Sequence, residues 1–175
     1  MRDALREAVQ KARKLEIDGA DFYTTLASMC ATEAGQRMFK SFAADERRHL
    51  RVVKDLAEGV GVDVDQMPMP RDEIRTLFTE AAEQTDEQGA VTSDEKDAVQ
   101  QAMEMETESY NLYVKAAEDA ADEDTRRLFE RLSREENQHY EMLENTLEYL
   151  NENAAWFLWK EWALIVGDQS SLGMG

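Results

Sequence analysis

The sequence contains a single cysteine, Cys30, and few residues that break helices. One thiol excludes an internal disulfide, and it also excludes the paired CxxC motifs of rubredoxins and zinc ribbons. Only two prolines and eight glycines occur in 175 residues, whereas alanine, glutamate, leucine, methionine, glutamine and arginine abound. Because proline and glycine are the residues that destabilise helix interiors most, this composition favours an all-α protein.

Positive charge is also scarce, since 20 lysines and arginines face 38 aspartates and glutamates, for a net charge of −18. A chain this acidic repels nucleic acid and anionic membranes, so we expect neither as a partner. Residues 1–10 are charged and amphipathic, and they lack the apolar stretch of a secretory signal. With one free thiol as well, we expect a cytoplasmic location.

Small and apolar residues recur at helical spacing in four stretches, which predicts long helices at about 3–30, 32–58, 92–121 and 124–151. Between the second and third helices, residues 59–92 include Met67-Pro68-Met69-Pro70 and a short helical pattern over 72–83. A connection of this length suits a crossover that runs along a helical bundle. We therefore expect residues 1–151 to form one four-helix domain.

A Glu-x-x-His motif occurs twice, at Glu46–His49 and Glu136–His139, and contains the only two histidines. Another glutamate precedes each motif by 30 residues (46−16 and 136−106), and the second set follows the first at a constant offset of 90 (106−16, 136−46 and 139−49). Each of the four glutamates interrupts an apolar helix pattern. We call these six residues the Glu/His cluster: Glu16, Glu46, His49, Glu106, Glu136 and His139.

The offset of 90 extends beyond the cluster, because residues 16–58 align with residues 106–148. Identical pairs include Tyr23/Tyr113, Ala27/Ala117, Arg37/Arg127, Phe39/Phe129 and Glu58/Glu148. We therefore expect two helical hairpins, at about 3–58 and 93–148, related by a pseudo-two-fold axis. An ancient duplication without a site would explain these identities, but not glutamates in all four apolar patterns together with both histidines.

Four carboxylates buried together repel one another and are costly to desolvate. Two divalent cations would change this, because their charge of +4 cancels the four glutamates while neutral histidines add none. Oxygen and imidazole donors in this ratio favour iron or manganese, and zinc could substitute. Glu46 and Glu136, each on one helix face with its histidine, are the expected bridging ligands. Glu16 and Glu106 are then expected as terminal ligands.

Three residues near the cluster allow two interpretations each. Tyr23 and Tyr113 follow Glu16 and Glu106 by seven residues, two helical turns along the same face. They are either core tyrosines or residues that orient the metal ligands. Asp45 either orients a histidine or lies on the helix surface as a solvated acid.

The tail, residues 152–175, differs in composition from the rest of the chain. Trp156, Trp159 and Trp162 stand three residues apart within an apolar run that Lys160 and Glu161 interrupt. The run is too short for a membrane span. We expect a short helical extension that packs on the bundle or on a second subunit.

With these residues in place, the chain resembles the ferritin-like superfamily, and rubrerythrin-type proteins most closely. In that superfamily, a glutamate from each of two helices and a Glu-x-x-His motif from each of the other two bind two metal ions. All six residues of the Glu/His cluster match this pattern. The resemblance implies an antiparallel four-helix bundle with a long crossover, a centre of two iron ions, reaction with hydrogen peroxide or O₂, an external electron donor and a homodimer.

Two differences from rubrerythrin affect the expected activity. Its electron-supplying rubredoxin domain requires cysteines that this sequence lacks, and Ser109 stands where rubrerythrins tend to carry an additional glutamate. The ligand set is therefore similar to the symmetric one of bacterioferritin-type centres. Besides a di-iron peroxidase or oxidase, two alternatives remain open: a ferroxidase-type iron-handling protein, and a non-catalytic metal-binding or sensor protein whose tail docks a partner.

Overall fold

The computed structural model describes residues 3–29, 33–67 and 93–152. Within these ranges lie four α-helices and one 3₁₀ turn at Val64–Gln66, and no strand. The helices are α1 (Asp3–Met29), α2 (Glu33–Glu58), α3 (Ser93–Glu118) and α4 (Glu123–Glu152). The expected all-α fold is therefore confirmed. The predicted crossover is described only as far as Met67, and the Trp-rich tail from residue 153 onward lies outside the described residues.

Capping interactions explain where α2 ends and where α4 begins. At the end of α2, Gly59 adopts a φ of +72°, and the Val60 amide donates to the Asp55 carbonyl at 2.8 Å. This is the left-handed C-terminal cap that glycine favours. At the start of α4, Asp122 accepts from the Thr125 amide at 2.8 Å, which satisfies a free helix N–H group. Only four residues separate α3 from α4, so these two helices run antiparallel as a hairpin.

The helices bury two apolar layers with polar residues between them. Helix α1 packs along α2, α3 packs along α4, and α1 also contacts α3. One layer contains Tyr23, Phe42 and their neighbours, and the other contains Tyr113, Phe129 and theirs. On every helix, the Glu/His cluster residues fall between the segments that supply the two layers. The cluster therefore lies near the middle of the bundle.

Within the described ranges, no helix combines the length and the apolar character that a bilayer span requires.

Candidate metal centre

The structure brings all six residues of the Glu/His cluster together in the interior, where each is 3% exposed or less. Their donor atoms form two groups in which all atoms lie within 4.8 Å of one another. One group contains Glu16 and His49, the other contains Glu106 and His139, and both include Glu46 and Glu136. The arrangement is thus two four-donor groups that share two carboxylates, as the internal repeat predicts.

The histidine Nδ1 atoms face this interior. His49 Nδ1 lies 3.1 Å from Glu136 Oε1 and 3.4 Å from Glu16 Oε2. His139 Nδ1 lies 3.4 Å from Glu46 Oε1 and 3.5 Å from Glu106 Oε2. Each ring therefore presents one nitrogen to carboxylates from more than one helix.

Several of these inward atoms lie close to one another but make no hydrogen bond of acceptable geometry, although they are fully buried. In the described part of the chain, seven buried side-chain nitrogen or oxygen atoms lack a partner, and six of them belong to the cluster. These six are Glu16 Oε2, Glu46 Oε1, His49 Nδ1, Glu136 Oε1, Glu136 Oε2 and His139 Nδ1. Buried polar atoms normally have a hydrogen-bond partner. A set of buried oxygen and nitrogen atoms that lack one and face one another is suited to coordinating cations.

The outer nitrogen of each histidine contacts an acid of the other hairpin. His139 Nε2 lies 3.3 Å from Asp45 Oδ2, and His49 Nε2 lies 2.9 Å from Glu135 Oε2. Such contacts keep an imidazole turned so that its other nitrogen points at a metal. Of the two interpretations of Asp45, the structure shows the buried one. Glu135 was not anticipated, although it stands 90 positions after Asp45.

Both acids are held in the ionised state by their cationic neighbours. Burial opposes the charge of Asp45, but His139 and Arg48 hold its pKa below the usual value. Burial opposes the charge of Glu135 as well, yet His49 and Arg48 lower its pKa to about 2. Ionised acids at these two positions are strong acceptors for the imidazole N–H groups.

The two tyrosines contact cluster glutamates across the repeat. The Tyr23 hydroxyl donates to Glu106, and the Tyr113 hydroxyl donates to Glu16. Burial and the neighbouring carboxylates raise the pKa of both hydroxyls well above the usual range, so both remain protonated donors. Each tyrosine is thus a core residue whose polar end also orients a candidate ligand.

Protons occupy the cluster when no metal is bound. Burial raises the pKa of Glu46 well above its usual value and that of Glu106 to about 7. Burial opposes the charged form of the histidines, but the surrounding carboxylates raise the pKa of His49 and His139 well above the usual range. Burial and Glu46 act to raise the pKa of Glu136, but the two histidines bring it below its usual value.

Residues 7–147, which make up most of the chain, match the sequence model of the rubrerythrin family. The chain belongs to the rubrerythrin family. No curated protein and no solved structure gave a match. The matched range includes every residue of the Glu/His cluster, and it confirms the ferritin-like four-helix bundle that the resemblance implied. These 175 residues hold one cysteine, so no rubredoxin domain is present among them.

Metal affinity of this rubrerythrin-family protein is expected to increase with pH. Metal ligands must be deprotonated, whereas the metal-free cluster carries protons on both histidines and on Glu106, whose pKa is about 7. Each proton that the metal displaces adds a factor of about ten per pH unit to the change in affinity. The dissociation constant for the metal should therefore fall at least about tenfold per pH unit between about pH 6 and 7. Calorimetric titration with Zn²⁺ in buffers of different ionisation enthalpy measures both the affinity and the protons released. A pH-independent affinity would contradict the protonated cluster.

Gly19 allows Glu46 to approach α1 closely. A Cβ atom at this position would lie 3.1 Å from Glu46 Oε2 and 3.3 Å from its Cδ. We expect Gly19→Ala to weaken metal binding about tenfold because the Glu46 carboxylate must shift, while the gain in helix propensity of about 0.5–1 kcal/mol offsets the contact enough to keep the metal-free protein folded. Thermal unfolding and metal titration test the two effects separately. Ser109→Ala, at the matching position of the second repeat, adds no atom and should leave affinity unchanged; equal affinities for both variants would refute the prediction.

Removal of the Tyr113 hydroxyl is expected to weaken metal binding without unfolding the protein. The Glu16 carboxylate would lose its donor, and residues that orient ligands typically contribute about 10- to 100-fold to metal affinity. Competition with a chromophoric chelator measures the change in Tyr113→Phe. Tyr110→Phe is the matched control, because Tyr110 lies on the same helix and is 38% exposed. Identical affinities in the two variants would show that the hydroxyl has no such role.

Proposed function

We propose that the Glu/His cluster binds two iron ions and that the protein is an oxidoreductase that reacts with hydrogen peroxide or O₂. The observation that supports this most is the set of six unpaired, buried donor atoms that face one another in two overlapping groups. Membership of the rubrerythrin family supports the same conclusion. Four carboxylates and two imidazoles suit iron, and manganese or zinc could substitute.

The proposed ligand roles follow from the two donor groups. Glu46 and Glu136 belong to both groups, so we assign them as bridging ligands. Glu16 with His49, and Glu106 with His139, are then the terminal ligands of the two positions. Four glutamates and two divalent ions sum to zero charge, which removes the electrostatic cost of burying the acids.

The surrounding residues prepare the site for redox chemistry. When bound, two iron ions supply electrons and polarise an O–O bond. Asp45 and Glu135 hold the imidazoles, and the tyrosine hydroxyls hold the terminal glutamates. The Phe42 ring packs against His139 with centroids 4.5 Å apart, so apolar side chains limit water near the centre.

Electron balance requires a partner. Reduction of one hydrogen peroxide to two waters consumes two electrons and two protons, so repeated turnover needs an external electron donor. We propose that a separate protein or small reductant fills this role, because these residues contain no rubredoxin domain. A homodimer remains a prediction of the resemblance.

An iron-handling function is the second candidate. The two donor groups have the same composition, three glutamates and one histidine, with Ser109 where an additional carboxylate would make them unequal. A symmetric centre of this kind also suits a ferroxidase, which oxidises Fe²⁺ with O₂ or hydrogen peroxide and releases the resulting Fe³⁺ for storage.

Stopped-flow spectroscopy separates the two functions. Protein loaded anaerobically with two Fe²⁺ per chain is mixed with hydrogen peroxide, or with O₂, and then with a chemical reductant. Repeated cycles of oxidation and re-reduction with the iron retained would support the oxidoreductase. Oxidation followed by loss of iron would favour iron handling, and no absorbance change with either oxidant would overturn both. Glu144→Gln, an exposed change on α4, should behave like the wild type.

A further inference from the structure

One guanidinium group connects the two acids that lie behind the histidines. Arg48 Nη1 donates to Glu135 Oε2 at 2.8 Å, and Arg48 Nη2 donates to Asp45. Glu135 contacts His49, and Asp45 contacts His139. Arg48 is only 14% exposed, so these ion pairs are largely shielded from water. One side chain therefore contacts both of the acids that orient the imidazoles.

The internal repeat does not reproduce this arginine. Ninety positions after Arg48 stands Gln138, whose Oε1 is buried without a hydrogen-bond partner. Conversely, Glu135 has a second arginine, because Arg131 Nε donates to its Oε1 at 2.5 Å. The position that matches Arg131 in the first repeat is Ser41. Two arginines thus hold Glu135, whereas Arg48 is the one arginine found on Asp45 among residues 3–29, 33–67 and 93–152.

This difference makes the two halves of the centre unequal. The contact from His139 to Asp45 is the longer one, 3.3 Å against 2.9 Å from His49 to Glu135. Without Arg48, Asp45 would lose its cationic partner and could turn away from His139 toward solvent. Glu135 would keep Arg131, and His49 would keep its acceptor.

We propose that Arg48, acting through Asp45, is the positioning residue for His139, whereas the acceptor of His49 is held by Arg131 as well. The proposal rests on the two-metal function proposed above. Behind the Glu16–His49 position, two arginines hold Glu135, so this position is the more robust. The Glu106–His139 position is expected to lose its metal affinity first when Arg48 is replaced.

Nuclear magnetic resonance of the Zn²⁺-loaded protein tests this without any measurement of activity. Because the chain has only two histidines, two ring Nε2–H signals are expected, and the ring protons of His139 are identified by their proximity to Phe42. In Arg48→Gln, which copies Gln138, the His139 Nε2–H signal should be lost to exchange with water while that of His49 remains. The second Zn²⁺ should bind about 10- to 100-fold more weakly, and the first should be unaffected.

Two further variants and one control define the outcome. Arg131→Ser, which copies Ser41, should retain both signals, because Glu135 keeps Arg48. Asp45→Ala should lose the His139 signal alone, and it tests the same link if Arg48→Gln does not fold. Arg51→Gln removes the same charge from an exposed position one turn along α2, and it should resemble the wild type.

The possible failures are distinguishable. A wild-type protein that does not bind two Zn²⁺ ions would overturn the proposed function together with this inference. A wild type that binds two ions, with Arg48→Gln retaining both ring signals, would overturn the inference alone. Arg48→Gln could instead lose both ring signals together with its helix content. If Asp45→Ala then kept the His139 signal, Arg48 would have a merely structural role, and this result would also overturn the inference.

Discussion

Replacing Glu136 with glutamine is expected to abolish binding of both metal ions. Glu136 belongs to both donor groups, and neither of its oxygens has a hydrogen-bond partner that could retain it elsewhere. Glutamine keeps the shape of the side chain but removes its charge and one acceptor oxygen. Because residues that only orient ligands contribute about 10- to 100-fold, loss of a shared ligand should weaken both sites by more than about 100-fold. Metal titration monitored by calorimetry measures both sites.

Comparison with the terminal ligands makes this result specific. Glu16→Gln should impair only the position with His49, since Glu16 belongs to one group. Glu16→Ala combined with Glu106→Ala should remove two-metal occupancy while helix content is largely retained. If Glu136→Gln bound two ions with the affinity of the wild type, the bridging assignment would be wrong.

Removal of metal from the wild type is expected to lower its melting temperature substantially. Cations that bind only the folded chain stabilise it by about 4 kcal/mol per site at a free concentration 1,000 times the dissociation constant. For a chain of this size, 1 kcal/mol corresponds to roughly 2–4 °C. The expected decrease is therefore roughly 8–16 °C for each site emptied.

The control for this experiment is Glu136→Gln, the variant expected to bind metal more than about 100-fold more weakly. Thermal unfolding is followed by circular dichroism at one pH, with Zn²⁺ present and again after chelation and removal of the chelator. Glu136→Gln should show a much smaller difference between the two conditions than the wild type. A wild type whose melting temperature does not respond to metal would mean that the buried acids are accommodated by protons alone.

The convergence of the six cluster residues could be predicted from the sequence because it depends on periodicity. Each glutamate occupies a core-facing position of an amphipathic helix, and the offset of 90 places equivalent residues on equivalent helices. The short α3–α4 connection and the apolar patterns then leave few ways to assemble the bundle. The same reasoning predicted that Tyr23 and Tyr113 face the interior.

The contacts outside the cluster were harder to predict. Glu135 lies in an acidic, arginine-rich stretch of α4 that looks like a solvated surface. Its burial depends on Arg48, Arg131 and His49, and two of these lie on another helix. Helical periodicity does not specify which side chains pair between helices. The position of Glu135 at 90 residues after Asp45 was the one indication, and it required knowing which interpretation of Asp45 was correct.

Four buried glutamates are compatible with this bundle at low cost only if cations neutralise them, so the metal content of the wild-type protein is the deciding measurement. Protein purified without added metal should be analysed by elemental mass spectrometry and compared with Glu136→Gln prepared in parallel. We expect about two metal ions per wild-type chain, with iron predominant, and almost none in the variant. A folded wild-type protein that contains no metal, and that takes up none when Fe²⁺ is supplied anaerobically, would contradict the two-metal centre.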